Sequence, residues 1–327
     1  MLDAKRPDEA LAAFKECIEL EPNNLNHQIE YGVALYKLGH LDECLSVLDA
    51  ILAKEPNHIL ALNNKARILI DRDKPTEALA LYRQILNTDP KHTRTWIKAA
   101  QLMASLQRFD KADGCIQEAL AVTPDDPELW RERAIIARNA KKLEDALQYI
   151  DNALDKKSND FSSKTERANI LAALGKFNDA IDAYKLALHI KSDDHDVKVS
   201  LGFAYLAVNN PKDALDAFEA VMKEPTQKNN PKVWDGRGLA FIAIGETARG
   251  LVNRGTAAMI EKRFEDASKL FDAAIEANPK FPEAWSNKGV LLEKQNEYEA
   301  AADAYRHALD LDPGAVICMH NLGMLYV

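Results

Sequence analysis

Long apolar runs are missing from this 327-residue chain. No stretch approaches the roughly 20 consecutive apolar residues of a membrane-spanning helix. The opening Met-Leu-Asp-Ala-Lys-Arg-Pro-Asp-Glu has no apolar core of a secretion signal. An excess of cations is missing too: 42 Lys and Arg stand against 51 Asp and Glu, a formal charge of -9. That balance argues against a general nucleic-acid binder, which needs a basic face, and against a protein of anionic membrane surfaces. Cysteine is scarce. Cys17, Cys44, Cys115 and Cys318 form no C-x-x-C pair, so zinc and redox spacings are absent, and a reducing, cytoplasmic setting is expected. The eight histidines show no i,i+4 pair, and no metal is expected because structural sites want clustered ligands. No cofactor is expected either. After the Gly245-x4-Gly250 pair the chain reads Leu251-Val252, where a phosphate-binding loop needs Lys-Ser/Thr. Gly236-Arg237-Gly238 follows no strand pattern, as a dinucleotide fingerprint would require. No Ser-His-Asp set or paired carboxylates stand out, so no catalytic residue is assigned and the chain is not expected to be an enzyme.

What the sequence has in abundance is regular repetition. Pro22, Pro56, Pro90 and Pro124 are evenly spaced and define a period. A series of small residues keeps the same step: Ala10, Cys44, Ala78, Ala112, Ala146, Ala180 and Ala214. Four positions after each comes a mostly bulky series: Phe14, Leu48, Tyr82, Ile116, Ile150, Tyr184 and Phe218. A third series of pairs precedes both: Tyr31-Gly32, Lys65-Ala66, Ala99-Ala100, Arg133-Ala134, Arg167-Ala168 and Leu201-Gly202. Small residues at these places let two helices approach closely, and the bulky ones fill the gap beside them. Trp285–Pro313 holds the whole pattern: Trp285, Lys288-Gly289, Leu292, Ala301, Tyr305, Ala308, Pro313.

These residues, in their spacing and their period, resemble the signature of the tetratricopeptide repeat, W-x2-L-G-x2-Y, then A-x3-F, A and P; Lys288 departs from it where Leu is usual. The resemblance implies an all-α fold, a right-handed α-α superhelix of helix-turn-helix repeats. Each repeat has a helix A and a helix B, and one repeat cannot bury its apolar stripes alone, so copies must stack. Full repeats start near residues 25, 59, 93, 127, 161, 195, 248 and 282, which makes eight. Residues 1–24 read as the helix B of an earlier repeat, and residues 316–327 as the start of a further helix A. About 19 helices are expected.

The register breaks once. Trp234, Arg237-Gly238 and Phe241 spell a helix A, and no helix B follows. Leu251 and Arg254-Gly255 spell another helix A half a period later. The organisation expected is an array over 1–228, an irregular half-repeat over 229–247 and a second array over 248–327, with a bend, a looser joint or a lost segment between them.

In the family that this chain resembles, helix A lines the groove where extended peptides bind. Asparagine just before the Leu-Gly position recurs at Asn253, Asn287 and Asn321, and again at Asn64. The arrangement is similar to the asparagine ladder in the superhelix of O-linked N-acetylglucosamine transferase. An Asn amide offers both a donor and an acceptor, so it can bracket a peptide's backbone amide. Asn64 with Arg94 and Lys98 resembles part of the carboxylate clamp of cochaperone repeats, although Ile29 and Val33 stand where that clamp needs Lys and Asn. Glu128 and Glu132 could instead pair with Arg94 and Lys98. The function expected is a scaffold that binds a protein or extended peptide. The alternatives are the recognition segment of a larger enzyme and a self-assembling array. Leu322, Leu325 and Tyr326 give the last helix an apolar side with no helix B after it. The chain is therefore expected to continue in a longer protein or to pair with a second copy through this end.

Overall fold

The computed structural model describes residues 6–326, which form two compact units, one ending at Ser158 and the other starting at Asn159. The first unit holds α1 (Pro7–Leu20), α2 (Leu25–Lys37), α3 (Leu41–Lys54), α4 (Ile59–Asp71), α5 (Pro75–Thr88), α6 (Thr93–Ser105), α7 (Phe109–Val122), α8 (Pro127–Asn139) and α9 (Leu143–Lys156). The second holds α10 (Phe161–Ala173), α11 (Phe177–Ile190), α12 (His195–Ala207) and α13 (Pro211–Met222), then a 3-10 turn at Pro225–Gln227. It continues with α14 (Pro231–Ala243), α15 (Thr247–Ile260), α16 (Phe264–Ala277), α17 (Pro282–Lys294), α18 (Tyr298–Leu311) and α19 (Val316–Leu325). All the regular structure among the described residues is helical. Each unit is a solenoid of stacked helix pairs.

The small and bulky series form the seam of each pair. Ala66 and Ala100 are buried against the helix B that carries Tyr82 or Ile116, and Ala134 and Ile150 are buried at the same two positions of the next pair. Where the helix A residue is glycine in the second unit, the partner is an aromatic ring. A Cβ built on Gly202, Gly255 or Gly289 would lie 2.7, 2.4 or 2.6 Å from the ring of Phe218, Phe271 or Tyr305. The ring therefore occupies the space that a side chain would take. The core is a series of clusters, each reaching into the next repeat's helix A. Ile116 and Leu120 of α7 meet Leu129 and Ile136 of α8, and Phe218 of α13 meets Val233 and Ala240 of α14. Stacking thus buries what one pair leaves open.

Two backbone devices repeat with the period. The A-to-B turn contains a residue with positive φ each time: Gly39, Asp73, Gln107, Lys141, Gly175, Asn209, Gly245, Lys262 and Asn296. The following amide donates back to a carbonyl in the last turn of helix A, as from His40 to Leu35 and from Glu297 to Leu292, closing that helix's C-terminus. The tryptophan at the fourth position of helix A clamps the loop before it. The indole Nε1 of Trp96, Trp130, Trp234 and Trp285 donates to a carbonyl of that loop, at 2.7 to 3.1 Å.

The expected gap after α14 is filled. α15 packs against α14 and also against α16. Positive-φ turns sit at Gly245 and Lys262, so α15 is entered as a helix B and left as a helix A. It has 14 residues, the usual helix B length here. One helix serves two pairs, which accounts for the half-period step. The double role requires glycine. A Cβ on Gly238 would lie 2.7 Å from the Gly250 carbonyl oxygen, and one on Gly250 would lie 2.6 Å from that of Gly238. Here the two backbones touch, with no room for a side chain between them.

Candidate peptide-binding face

Within each unit the A helices of successive repeats reach one another. α2 meets α4 and α6 meets α8; in the second unit α10 meets α12, α12 meets α14, and α15 meets α17. Successive B helices make no comparable contact among the described residues. The A side is therefore the tighter, inner side of each stack, and residues that project from it line a groove.

In the first unit this face gathers positive charge. Lys98 on α6 is half-buried and donates to Asn63 Oδ1 on α4 at 3.1 Å, while Asn63 Nδ2 donates to the Ile59 carbonyl. Burial pulls the Lys98 pKa below its usual value, and the neighbouring charges of Arg94 and then Arg67 pull it further. Arg94 is exposed. Arg67 lies over the Tyr36 ring, 3.8 Å from its centroid, and the Tyr36 hydroxyl donates to Asp71. Asn64 is half-buried and lines a narrow crevice between α2 and α4 with Val33, Tyr36 and Arg67. The pairing of Arg94 and Lys98 with Glu128 and Glu132 does not form. Glu132 accepts from Gln101 at 3.0 Å, Lys98 takes Asn63, and Arg94 has no carboxylate within ion-pair reach among the described residues. Beside this cluster, between α6 and α8, lies a cavity of about 490 Å³ lined by Gln101, Ala104, Phe109, Glu132, Ile135 and Asn139.

The three C-terminal asparagines are not equivalent. Asn287 is half-buried; its Nδ2 donates to the Glu283 carbonyl at 2.8 Å, and its Oδ1 carries no bond among the described residues. Asn321 Nδ2 donates to the Tyr305 hydroxyl at 3.3 Å, and that hydroxyl donates to Glu293 at 3.0 Å. Burial raises the Tyr305 pKa well above its usual value, so the hydroxyl keeps its proton. Asn253 is buried, with both ends of its amide occupied: Nδ2 donates to the Arg249 carbonyl at 2.8 Å, and Oδ1 accepts from Arg237 at 3.2 Å. The cause is the double role of α15, which brings α14 over a position that is open on other A helices. Asn63 and Arg67 were not singled out in the sequence. They sit one position before and three after Asn64, on neighbouring stripes of the same helix, and that spacing was the available signal.

Among the described residues no helix is long and apolar enough to cross a membrane, and no group of His, Cys, Asp or Glu could hold a metal ion. Family models described as tetratricopeptide repeat match residues 1–68, 69–136 and 252–316. Protein O-mannosyl-transferase TMTC3 of Mus musculus is 37% identical over 67 residues, 20% of this chain and 7% of that protein. The probable UDP-N-acetylglucosamine–peptide N-acetylglucosaminyltransferase SPINDLY of Arabidopsis thaliana is 34% identical over 64 residues, again 20% and 7%. The chain thus matches only a small part of the length of either relative. Among solved structures, the human IFIT1 dimer with PPP-AAAA aligns at 17% identity and a TM-score of 0.59, covering 92% of this chain and 78% of that one. A tetratricopeptide repeat protein from Parabacteroides merdae aligns at 19% identity and 0.52, covering 82% and 98%. At these identities the likeness is one of fold.

Proposed function

Because this chain belongs to the tetratricopeptide repeat family, whose members generally act as protein-interaction scaffolds, we propose that it holds a partner's extended peptide along the inner face, with an anionic group of that peptide at Arg94, Lys98 and Asn64. One observation carries this reading: Arg94 and Arg67 lie close enough to Lys98 to depress its pKa, and no carboxylate acts on Lys98 to offset them. Gathered like charges cost free energy, and an incoming carboxylate offsets that cost. Hydrogen bonds to charged groups contribute about 1.5–3 kcal/mol each. Asn64 supplies an amide beside them for the peptide backbone. In the second unit Asn287 and Asn321 play the backbone-bracketing part. Asn253 is engaged internally, so this asparagine row runs through two residues and not three. The cavity beside Gln101 and Ile135 suits an apolar side chain of the same peptide.

The test is a selection of random peptides displayed against the wild-type chain, followed by affinity measurement on Arg94→Ala/Lys98→Ala. Selected peptides rich in Asp or Glu, with at least tenfold weaker binding to the variant, are the expected result. Equal affinity for a folded variant overturns the assignment. A second reading, the recognition segment of a larger enzyme, is supported by the short matches to two transferases; the binding face would be the same. For self-association, the exposed apolar face of α19, with Val316, Ile317, Met324 and Tyr326, is the proposed contact of a second copy. Light scattering across a dilution series checks this, with Ile317→Glu expected to abolish any dimer.

A further inference from the structure

A cavity in the first unit lies on the opposite side, among B helices. It measures about 760 Å³ and is bounded by α5 and α7, with α6 as its floor. Leu79 and Leu86 line it from α5, Trp96 and Met103 from α6, and Cys115 from α7. Burial pushes the Cys115 thiol up to about 12, so it is an apolar wall and not a nucleophile. Arg83 and Lys111 stand at the cavity, exposed and with no ion pair among the described residues. One carboxylate, Glu118, stands there as well.

Gly114 is the unexplained residue of this cavity. It sits in the interior of α7, where glycine weakens a helix relative to alanine. Gly202, Gly236, Gly238, Gly250, Gly255 and Gly289 are forced by neighbours within 2.3–2.7 Å of a would-be Cβ, but a Cβ on Gly114 meets nothing within 4 Å. Its φ is not positive either. On the other B helices the corresponding residue, two after the small one, is Ala12, Ser46, Ala80, Gln148, Asp182, Asp216, Lys269 or Asp303. Neither packing nor backbone geometry asks for glycine at 114. What glycine does there is keep one wall of the cavity low, so that a backbone can come close.

We infer that this cavity is a second docking site, independent of the inner face, for an acidic amphipathic helix of a partner protein. The helix would lie between α5 and α7, with its apolar residues over Trp96 and Met103, its backbone near Gly114, and its carboxylates at Arg83 and Lys111. The choice of an acidic partner rests on those two unpaired cations in a chain whose net charge is -9. The choice of a helix rests on a channel walled by two helices, which is the helix-in-groove mode of recognition.

The probe is a library of four-turn helical peptides with Leu, Phe or Trp at helical spacing and Glu, Lys or Gln varied elsewhere. It is selected on the wild-type chain and counter-selected on Gly114→Leu. The leucine has open space to enter and fills the cavity. Surviving peptides are expected to be rich in Glu and to bind Gly114→Leu at least tenfold more weakly than wild type. They should bind Gly114→Ala with an affinity between those of wild type and Gly114→Leu, and Arg83→Glu/Lys111→Glu at least tenfold more weakly. Arg94→Ala/Lys98→Ala should leave them unaffected, so failure of this site and failure of the inner face are told apart. Circular dichroism and thermal melting verify that each variant folds, and the charge-reversal pair, both exposed, serves if Gly114→Leu does not. The inference is overturned if the selection yields Lys-rich peptides, or none that distinguish wild type from Gly114→Leu. It is equally overturned if dodecanoate occupies the cavity while no peptide does.

Discussion

The inner faces of the two units use the same helix geometry and are filled differently. Before Ser158 the row around α4 and α6 carries Arg67, Arg94 and Lys98 beside Asn63 and Asn64. After Asn159 the row around α17 and α19 carries Asn287 and Asn321, tied to a carbonyl and to Tyr305. The seams behind these rows are nearly interchangeable: Ala66 with Tyr82 in one unit, Gly289 with Tyr305 in the other. The difference teaches that the period specifies only the seam, the turns and the loop clamp. The side chains of the inner face stand at positions the seam ignores, so like seams carry Arg94 and Lys98 in one unit and Asn287 and Asn321 in the other.

The sharpest way to break this comparison is to spoil the seam where it is most demanding. Gly250→Val puts a branched side chain where the Gly238 backbone already stands. We expect it to destabilise the second unit by about 3 kcal/mol, the range of overpacked cores, read by urea unfolding. A loss below about 0.5 kcal/mol, the scatter of ordinary surface substitutions, would mean that α15 does not serve both neighbours.

Next in size is the charged row. Arg94→Ala/Lys98→Ala should weaken an acidic peptide by about ten- to hundredfold, or about 1.4–2.8 kcal/mol. Asn287→Ala/Asn321→Ala should weaken a neutral backbone contact by less, about 0.5 kcal/mol for each bond, the low end for a neutral pair. If both double variants cost the same for an acidic peptide, the two faces are not chemically distinct.

Gly114→Ala should raise stability by about 1 kcal/mol, the helix propensity difference. The contrast with Gly250 separates a glycine demanded by packing from one that packing does not need. The smallest effect is in pH. The folded chain holds the Lys98 pKa below its usual 10.5. Between that lowered value and 10.5 the unfolded chain binds more protons, so stability rises with pH in this window. Lys98→Met should flatten that rise. Affinity for an acidic peptide should fall over the same window, because the peptide needs the charged ammonium.

The helix count, the A-to-B alternation and the seam residues were legible in the sequence, because each recurs with the period and one repeat supports the next. The loop clamp recurs as well, but shows only where Trp occupies the fourth position, as at Trp96, Trp130, Trp234 and Trp285. The double role of α15 was hidden because it depends on two glycines, Gly238 and Gly250, meeting across a turn. The positive-φ residues Asn209 and Gly245 stand one period plus two positions apart. Allowing for that insertion of two would have aligned Gly250 with the small helix B position. The burial of Asn253 follows from the same helix, so its loss as a groove residue could not be read from its own motif. The outer cavity was illegible because it depends on a missing side chain, and a missing side chain shows only when the neighbours are in place.

The most direct test of the account is a calorimetric titration of one selected acidic peptide and its Glu→Gln counterpart, at constant ionic strength, against wild type and Arg94→Ala/Lys98→Ala. The account predicts that wild type prefers the acidic peptide by at least tenfold and that the preference disappears in the variant. An equal preference in the variant, or none in the wild type, would contradict it.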